Sequence, residues 1–332
     1  MQTVVDLSRL RHNVRTIKCR TGNMFCAVVK SDAYGHGAAV SKYIEPLVDA
    51  FLVANYSEAE TIRSLGVSKR IYVLGGELTP HLTRRDPLII PTVFDTVGLS
   101  AVIRNGIDFS IEVNTGMNRL GANEKTLAEM KSICSAASVS PTSVYSHIYN
   151  GISSALEQSE KFDYLTLSPI FRRCRHLYSS CALDLSGVNL FDMTRAGIAM
   201  YGYYGPYVSP CMKVRAKIVA INSVHAGEHI GYGDYTLDSD MVIATVACGY
   251  ADGLRRCDKQ LYMTVRGRKC KVVGVPCMDL TMIDVTGISP RVGEYAYLIA
   301  EKEDAEYLAK CYNTIVYEVL IGFNGRNERI YV

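Results

Sequence analysis

The sequence predicts an α/β protein in two parts, a TIM-like (β/α)8 barrel over residues 1–210 and a mostly antiparallel β domain over residues 211–332. Three observations predict it. From Val4 to about Met200, short apolar runs alternate with amphipathic stretches of helical period. There are roughly eight of each, which suits a closed parallel barrel better than the alternative of an open doubly wound sheet. Past "YGYYGPYVSP" the helical stretches give way to short strands between turn residues.

The elements follow in order. "MFCAVVK", "AFLVAN", "RIYVLG", "LIIPTVF", "DFSIEVN", "TSVYSHIY", "SCALDLSG" and "MTRAGIAMYG" read as buried parallel strands. Leu7–Lys18, Ser57–Leu65, Glu124–Ala137 and Glu157–Tyr178 read as helices. In the first of these, Leu7, Leu10, Val14 and Ile17 recur at helical spacing and define one apolar face. In the second part, Val214–Ile221, Met241–Ala247, Tyr262–Val265, Lys269–Val275, Leu280–Val285 and Tyr295–Ile299 read as strands. They are separated by "AGEH", "DSD", "RGRK" and "SPRVGE", and a helix follows over about Asp304–Cys311.

Composition narrows the function. With 36 basic against 33 acidic residues, the net charge of +3 gives no reason to expect nucleic acid or an anionic membrane as partner. The N-terminus lacks an apolar signal core, and no apolar run is long enough to span a bilayer. The 11 cysteines are an odd number without a C-x-x-C pair, and many sit in apolar runs, so a zinc ribbon or redox pair is not expected and no metal site is predicted. Free thiols in this number suit a reducing compartment, and a cytoplasmic location is expected.

The stretch "FCAVVKSDAYGHG" then asks why an ammonium group ends a buried strand. A lysine at a strand exit can simply reach solvent. In a barrel of this kind, however, the C-terminal strand ends carry the chemistry. Burial lowers an amine's pKa, and a neutral amine can condense with an aldehyde. The glycines and Tyr34 that follow Lys30 suit a phosphate held by backbone N–H and hydroxyl groups.

"AVVKSDAYGHG" closely resembles the pyridoxal 5′-phosphate (PLP) lysine motif of the alanine racemase family. "VNTGMNRLG", "TRAGIAMYG", "IGYGDYT", "CGYADGLRR" and "VPCMDLTMID" also resemble blocks of that family, in its order and over nearly the whole chain. The resemblance implies a homodimer with shared active sites, acting on a small amino acid. Lys30 would hold PLP and move the α-proton on one face, with Tyr232 of the partner subunit serving the other. Arg195 would face the pyridine nitrogen; an arginine keeps its proton, so the ring stays a weak electron sink and the carbanion is short-lived. Arg119 would approach the cofactor and the substrate carboxylate. Glu112 stands where the family often has a carbamylated lysine, and would supply a fixed negative charge to orient Arg119. His147 would lie near the cofactor ring. Tyr34, Ser186, Gly197 and Ile198 would form the phosphate cup. Met278 and Asp279 match a loop that enters the partner's site, and Tyr250 a tyrosine of the substrate route.

Two segments depart from the family pattern. The serine block "DLSGVNL" replaces a more usual His-x-x-Asn-Ser-Ala, and "LIGFNGRNERIYV" has Gly325, beside Asn324, where alanine-preferring members carry a tyrosine before the arginine aligned with Arg326. Serine-racemising relatives tend to have asparagine there. The expected reaction is therefore interconversion of L- and D-alanine, supplying D-alanine for cell-wall peptide, with serine or mixed specificity as the alternative. Two rival readings make different demands on the sequence. A PLP-barrel decarboxylase should carry glutamate, not Arg195, at the pyridine nitrogen, and a non-catalytic PLP-binding barrel should lack the β domain.

Overall fold

The computed structural model describes every residue of the chain except Arg84, Arg85, Ser186, Gly187 and Asn324. It divides into two compact units. The larger comprises Leu10–Ala33 and Ala38–Val208; the smaller comprises Met1–Arg9, Tyr34–Gly37 and Ser209–Val332.

Strands are numbered along the chain, and β1 (Gln2–Val5) belongs to the smaller unit. The larger unit holds β2 (Met24–Val28), β3 (Ala50–Val53), β4 (Arg70–Val73), β5 (Ile89–Val93), β6 (Ser110–Glu112), β7 (Ser143–Tyr145), β8 (Arg175–His176) and β9 (Met193–Ala196). Neighbouring strands pair in parallel in the order β8-β7-β6-β5-β4-β3-β2-β9. The Asp192 N–H donates to the Arg175 carbonyl at 2.9 Å and the Arg195 N–H to the Tyr178 carbonyl at 3.1 Å, drawing β8 and β9 together. The expected (β/α)8 barrel is therefore present.

Its helices begin where short polar side chains can cap them. Asn55, Asp95 and Asn123 accept amide bonds from Glu58, Gly98 and Thr126 at 3.0, 2.6 and 2.9 Å. The alternation of a strand sorts side chains between two environments. On β6 and β7, Ile111 and Val144 join the apolar layer under the helices with Leu99, Leu127 and Phe162. Ser110 and Glu112, Ser143 and Tyr145 take the opposite face, where the Ser110 and Ser143 hydroxyls bond at 2.8 Å.

The eighth strand differs from expectation. The helix expected over Glu157–Tyr178 ends at Leu165, the strand is Arg175–His176, and "SCALD" is a 3-10 turn over Ser180–Asp184. A two-residue strand of arginine and histidine has no apolar run to detect. Its place is set by pairing with β7, not by local pattern.

The smaller unit is built on β10 (Met212–Val224), β11 (Met241–Val246), β12 (Tyr262–Val265), β13 (Arg268–Lys271), β14 (Thr281–Asp284), β15 (Tyr295–Ile299) and β16 (Glu328–Tyr331). The order is β13-β12-β15-β10-β1-β16, with β11 and β14 attached through β10. The long β10 shifts register between Ile218 and Ala220, pairing β1 and β15 before that point and β11 across and beyond it. Pairing is antiparallel apart from β1 beside β16, which brings the two chain ends into one sheet. Two helices, Lys302–Cys311 and Val316–Gly322, complete the unit. β1, β16 and the second helix are elements the sequence reading left unassigned. No helix among the described residues is long and apolar enough to cross a membrane.

Candidate active site

Lys30 follows β2 directly, and β2 is held by Tyr201, whose hydroxyl donates to the Val28 carbonyl at 3.1 Å. The chain then does something rare. Ser31, Asp32, Ala33 and Tyr34 all have φ between 51° and 55°, giving one turn of left-handed helix. Such backbone costs roughly 1–2 kcal/mol per residue for side chains other than glycine. Specific bonds offset it. The Ser31 N–H donates to Glu58 Oε1 at 2.7 Å, the Ala33 N–H to the Val29 carbonyl at 2.9 Å, and Asp32 Oδ1 accepts the Ala38 N–H at 2.6 Å. Glu58 also accepts the Ala54 N–H through its other oxygen, so one carboxylate joins the ends of β2 and β3.

The Lys30 ammonium has no hydrogen-bond partner among the described residues. Its pKa is lowered, first by burial and then by the cations Arg119 and Arg195, with Glu58 opposing. Arg195, on β9, is almost wholly buried. Its Nη2 donates to the Ser146 carbonyl at 2.6 Å and the Leu177 carbonyl at 2.9 Å, and lies 3.4 Å from His147 Nδ1. Burial also lowers the Arg195 pKa, yet guanidinium starts so high that the charge persists. His147, following β7, is pushed down to about 3 by burial and by Arg195, Arg119 and Lys30, so its imidazole is neutral at ordinary pH.

Glu112 faces the barrel interior at the end of β6 and is buried. Burial raises its pKa, with Arg195, Arg119 and the Tyr145 hydroxyl opposing. The Tyr145 hydroxyl bonds Glu112 Oε2 at 3.4 Å and lies 3.1 Å from Thr92 Oγ1. The Tyr145 ring stacks on His176 at 5.0 Å and faces the Arg195 guanidinium at 5.0 Å. Glu112 and Arg119 form no ion pair among the described residues. Arg119 is exposed, on a turn with Asn118 at φ 54°. Glu112 is thus held by Tyr145, not by the arginine that the resemblance pairs with it.

Gly197 and Ile198 open the turn after β9, in which the Tyr201 and Tyr203 amides bond back to their carbonyls. Ser186 lies outside the described residues. A serine missed in the sequence does stand at this turn: buried Ser180 accepts the Ala199 N–H at 3.2 Å. The spacing His176-x-x-x-Ser180-x-Ala182 is the available signal, hidden because the strand before it is the short Arg175–His176 and not "SCALDLSG". His176 was missed likewise. It is fully buried, and neither ring nitrogen has a hydrogen-bond partner among the described residues.

The smaller unit carries the remaining residues. Tyr34 is buried, its ring 5.9 Å from that of Tyr317, and burial and Tyr317 push its hydroxyl pKa up. Gly35 lies against the backbone of Leu320, and Gly37 against Tyr331 and Arg329. These two glycines admit protein, where the sequence reading assigned them close approach to a phosphate. Tyr232 is 65% exposed on a tip closed by the His229–Thr236 bridge and the Ile230 N–H to Tyr235 carbonyl bond. Tyr250, Met278 and Asp279 are also exposed. Gly325 has φ 86°, and Asn324 lies outside the described residues.

The donor set suits PLP. Lys30, Arg119 and Arg195 face two acidic groups, Glu58 and Glu112, leaving net positive charge to meet a phosphate and a phenolic oxygen. An amine with a lowered pKa is of the kind that could form a covalent attachment to it. No group of three or more histidine, cysteine or acidic side chains fit to bind a metal occurs among the described residues.

Comparison with known proteins agrees. Residues 5–205 match the family model for the alanine racemase N-terminal domain and residues 211–331 that for the C-terminal domain. The alanine racemase of Thermodesulfovibrio yellowstonii is 32% identical over 100% of this chain and 98% of its own length; that of Aquifex pyrophilus is 30% identical over 98% and 96%. Among solved structures, alanine racemase from Clostridium difficile 630 superposes with a TM-score of 0.94 at 28% identity, over 100% of this chain and 95% of that one. Alanine racemase from Bartonella henselae, described with covalently bound pyridoxal phosphate, gives 0.90 at 25% identity over 100% and 99%. With both halves matched, in order and over nearly their full length, the chain belongs to the alanine racemase family.

Proposed function

We propose that this protein interconverts L- and D-alanine with PLP bound at Lys30, as a homodimer whose two sites each take residues from both subunits. The observation that carries the reading is the half-buried, cation-flanked Lys30 just past β2, in a chain belonging to this family. When bound, PLP supplies an electron sink that acidifies the substrate α-hydrogen.

The protein's residues do the rest. Lys30, as a neutral amine, would take or return a proton at Cα on one face. Tyr232 of the partner subunit does so on the other, since inversion needs a group on each side. Arg195, which holds a charge that its environment does not discharge, would face the pyridine nitrogen and give it no proton. Glu112 supplies a negative charge that favours that buried guanidinium, and the neutral Tyr145 offers it the face of its ring. His147, neutral, can pack against the cofactor ring without adding charge. Tyr34, Ser180 and the amides of Gly197 and Ile198 hold the phosphate, with Ser186 a further candidate. Arg119 and the partner's Met278 bind the substrate carboxylate, while Tyr250 and Asp279 shape the route in. Supply of D-alanine for peptidoglycan in the cytoplasm is the physiological role in keeping with the family.

The test is a chiral assay of alanine on the purified protein beside its Lys30→Ala variant. Racemisation by wild type, loss of at least ~10³-fold in the variant, and loss of borohydride-trapped cofactor are expected. The lowered Lys30 pKa adds a sign. In the cofactor-free protein, Lys30 should react with acylating reagents at a pH below that of an ordinary lysine, and Arg119→Ala should move that reactivity to higher pH. Covalent capture of PLP by Lys30→Ala would overturn the assignment.

A further inference from the structure

Three separate segments of the smaller unit meet at one point. They are the turn Gly249–Gly253, the loop 277–279, and the pair Arg326 and Asn327 near the end of the chain. The first two are joined through backbone: the Tyr250 N–H donates to the Cys277 carbonyl and the Ala251 N–H to the Met278 carbonyl, both at 3.0 Å. Gly249 makes this approach possible, because any Cβ there would fall on the carbonyls of Cys277 and Met278. The third segment grips both. Asn327 Nδ2 donates to the Asp252 carbonyl at 3.1 Å. Arg326 Nε and Nη2 donate to Asp252 Oδ1 and Oδ2 at 2.9 and 3.3 Å, and Nη2 also donates to Asp279 Oδ1 at 2.5 Å.

The two carboxylates differ in kind. Asp252 is buried, and its Oδ2 also accepts the Gly249 N–H at 2.9 Å, so it is a fixed anchor. Asp279 is exposed, and Arg326 is its one hydrogen-bond partner among the described residues. An isolated exposed ion pair contributes little, because two long side chains must be ordered to form it. Here the guanidinium is already oriented by a bidentate bond to Asp252, so capturing Asp279 orders only a short side chain. The side chains flanking this clasp are Tyr250 and Met278.

We infer that Arg326 is a positioning residue: its bridge between Asp252 and Asp279 holds Met278 and Tyr250 in one arrangement, and through them governs substrate affinity. This rests on the reading of Met278 as a carboxylate contact and Tyr250 as part of the substrate route. It predicts a loss in binding and not in chemistry, since neither Lys30 nor Tyr232 takes part in the clasp.

The experiment compares Arg326→Gln, Arg326→Lys and Asp279→Asn with wild-type holoenzyme. KM for alanine should rise about tenfold, as for loss of one charge-assisted bond, with kcat within about threefold. Arg326→Gln and Asp279→Asn combined should be no worse than Arg326→Gln alone, because they break one device. Arg326→Lys should recover part of the affinity. Hydrogen exchange supplies a readout that does not depend on turnover: the Tyr250 and Ala251 amides should exchange faster in Arg326→Gln. Unchanged exchange overturns the clasp. Faster exchange or a lower melting temperature with unchanged KM overturns its role in binding, as does strict additivity of the two losses. Should Arg326→Gln fail to fold, the exposed Asp279→Asn is read in the same two ways. If wild type racemises no alanine, the functional reading fails, and the exchange data still judge the clasp.

Discussion

The barrel end around Lys30 and the exposed tip around Tyr232 are assigned the same task at the substrate Cα, and their surroundings differ completely. Lys30 is half-buried, with its pKa lowered by that burial and by the charges of Arg119 and Arg195, behind a turn of left-handed backbone fixed by Glu58 and Asp32. Tyr232 is 65% exposed, on a tip held by backbone bonds. A catalytic acid needs a tuned environment. The barrel residue has one within its own unit. The tip residue stands largely in solvent, and a second copy of the chain is the proposed source of its surroundings. The contrast therefore separates a residue whose surroundings fold with its own unit from one whose proposed role calls for a second copy of the chain.

The largest effect tests that contrast directly. Tyr232→Phe should lower racemisation by ~10²–10⁴-fold while leaving cofactor capture at Lys30 intact, and Lys30→Ala should remove both. Mixed and allowed to exchange, the two inactive subunits should regain roughly a quarter of wild-type activity, since half the dimers are hybrids with one intact site each. Exchange demonstrated by a tag, with no activity restored, would show that the two residues do not meet across subunits.

A smaller effect sharpens the barrel side. Glu112→Gln removes the buried negative charge that faces Arg195 through Tyr145. Stability at neutral pH should fall by ~1–3 kcal/mol, and kcat/KM by about tenfold or more as Arg195 loses its counter-charge. A variant that keeps wild-type melting and kinetics would mean that the carboxylate is already protonated in the native barrel, which its raised pKa makes the natural alternative.

The smallest effect lies beside the clasp. Gly325 has φ 86°, and no heavy atom stands within 4 Å of where a Cβ would go. Gly325→Tyr should therefore cost about 1 kcal/mol in backbone strain, and should depress serine turnover severalfold more than alanine turnover by filling open space. Absence of serine racemisation in the wild type would remove the basis for this prediction.

Much of this was legible in the residues, unevenly. Seven of the eight barrel strands announce themselves as β-branched, buried runs such as "FCAVV" and "IIPTV". Arg175–His176 does not, because its place comes from pairing with β7 and not from hydrophobic pattern. That one displaced strand also hid Ser180 and His176 and drew attention to Ser186. β1 and β16 are hard to read because each is a four-residue segment whose partners are remote in sequence: β1 pairs β10 as well as β16, and β16 pairs β1 across 326 positions. Site chemistry was legible where a residue type is unusual for its place, as with Lys30 after "AVV" or Arg195 in "MTRAG". It was illegible where the partner is spatial: nothing in sequence couples Glu112 to Tyr145, or Arg326 to Asp252 and Asp279.

The left-handed turn Ser31–Tyr34 has a consequence for the order in which the molecule matures. Mirror-image backbone has no local driving force in a nascent chain of L-residues, so β2 and the turn cannot lock when they are made. Glu58 must first arrive on the helix after β3, and Ala38 must close on Asp32. The lysine thus gains its final direction only after later sequence has folded around it. Cofactor capture should lag behind strand formation in refolding, and a chain interrupted before residue 58 should have a reactive amine with no fixed aim.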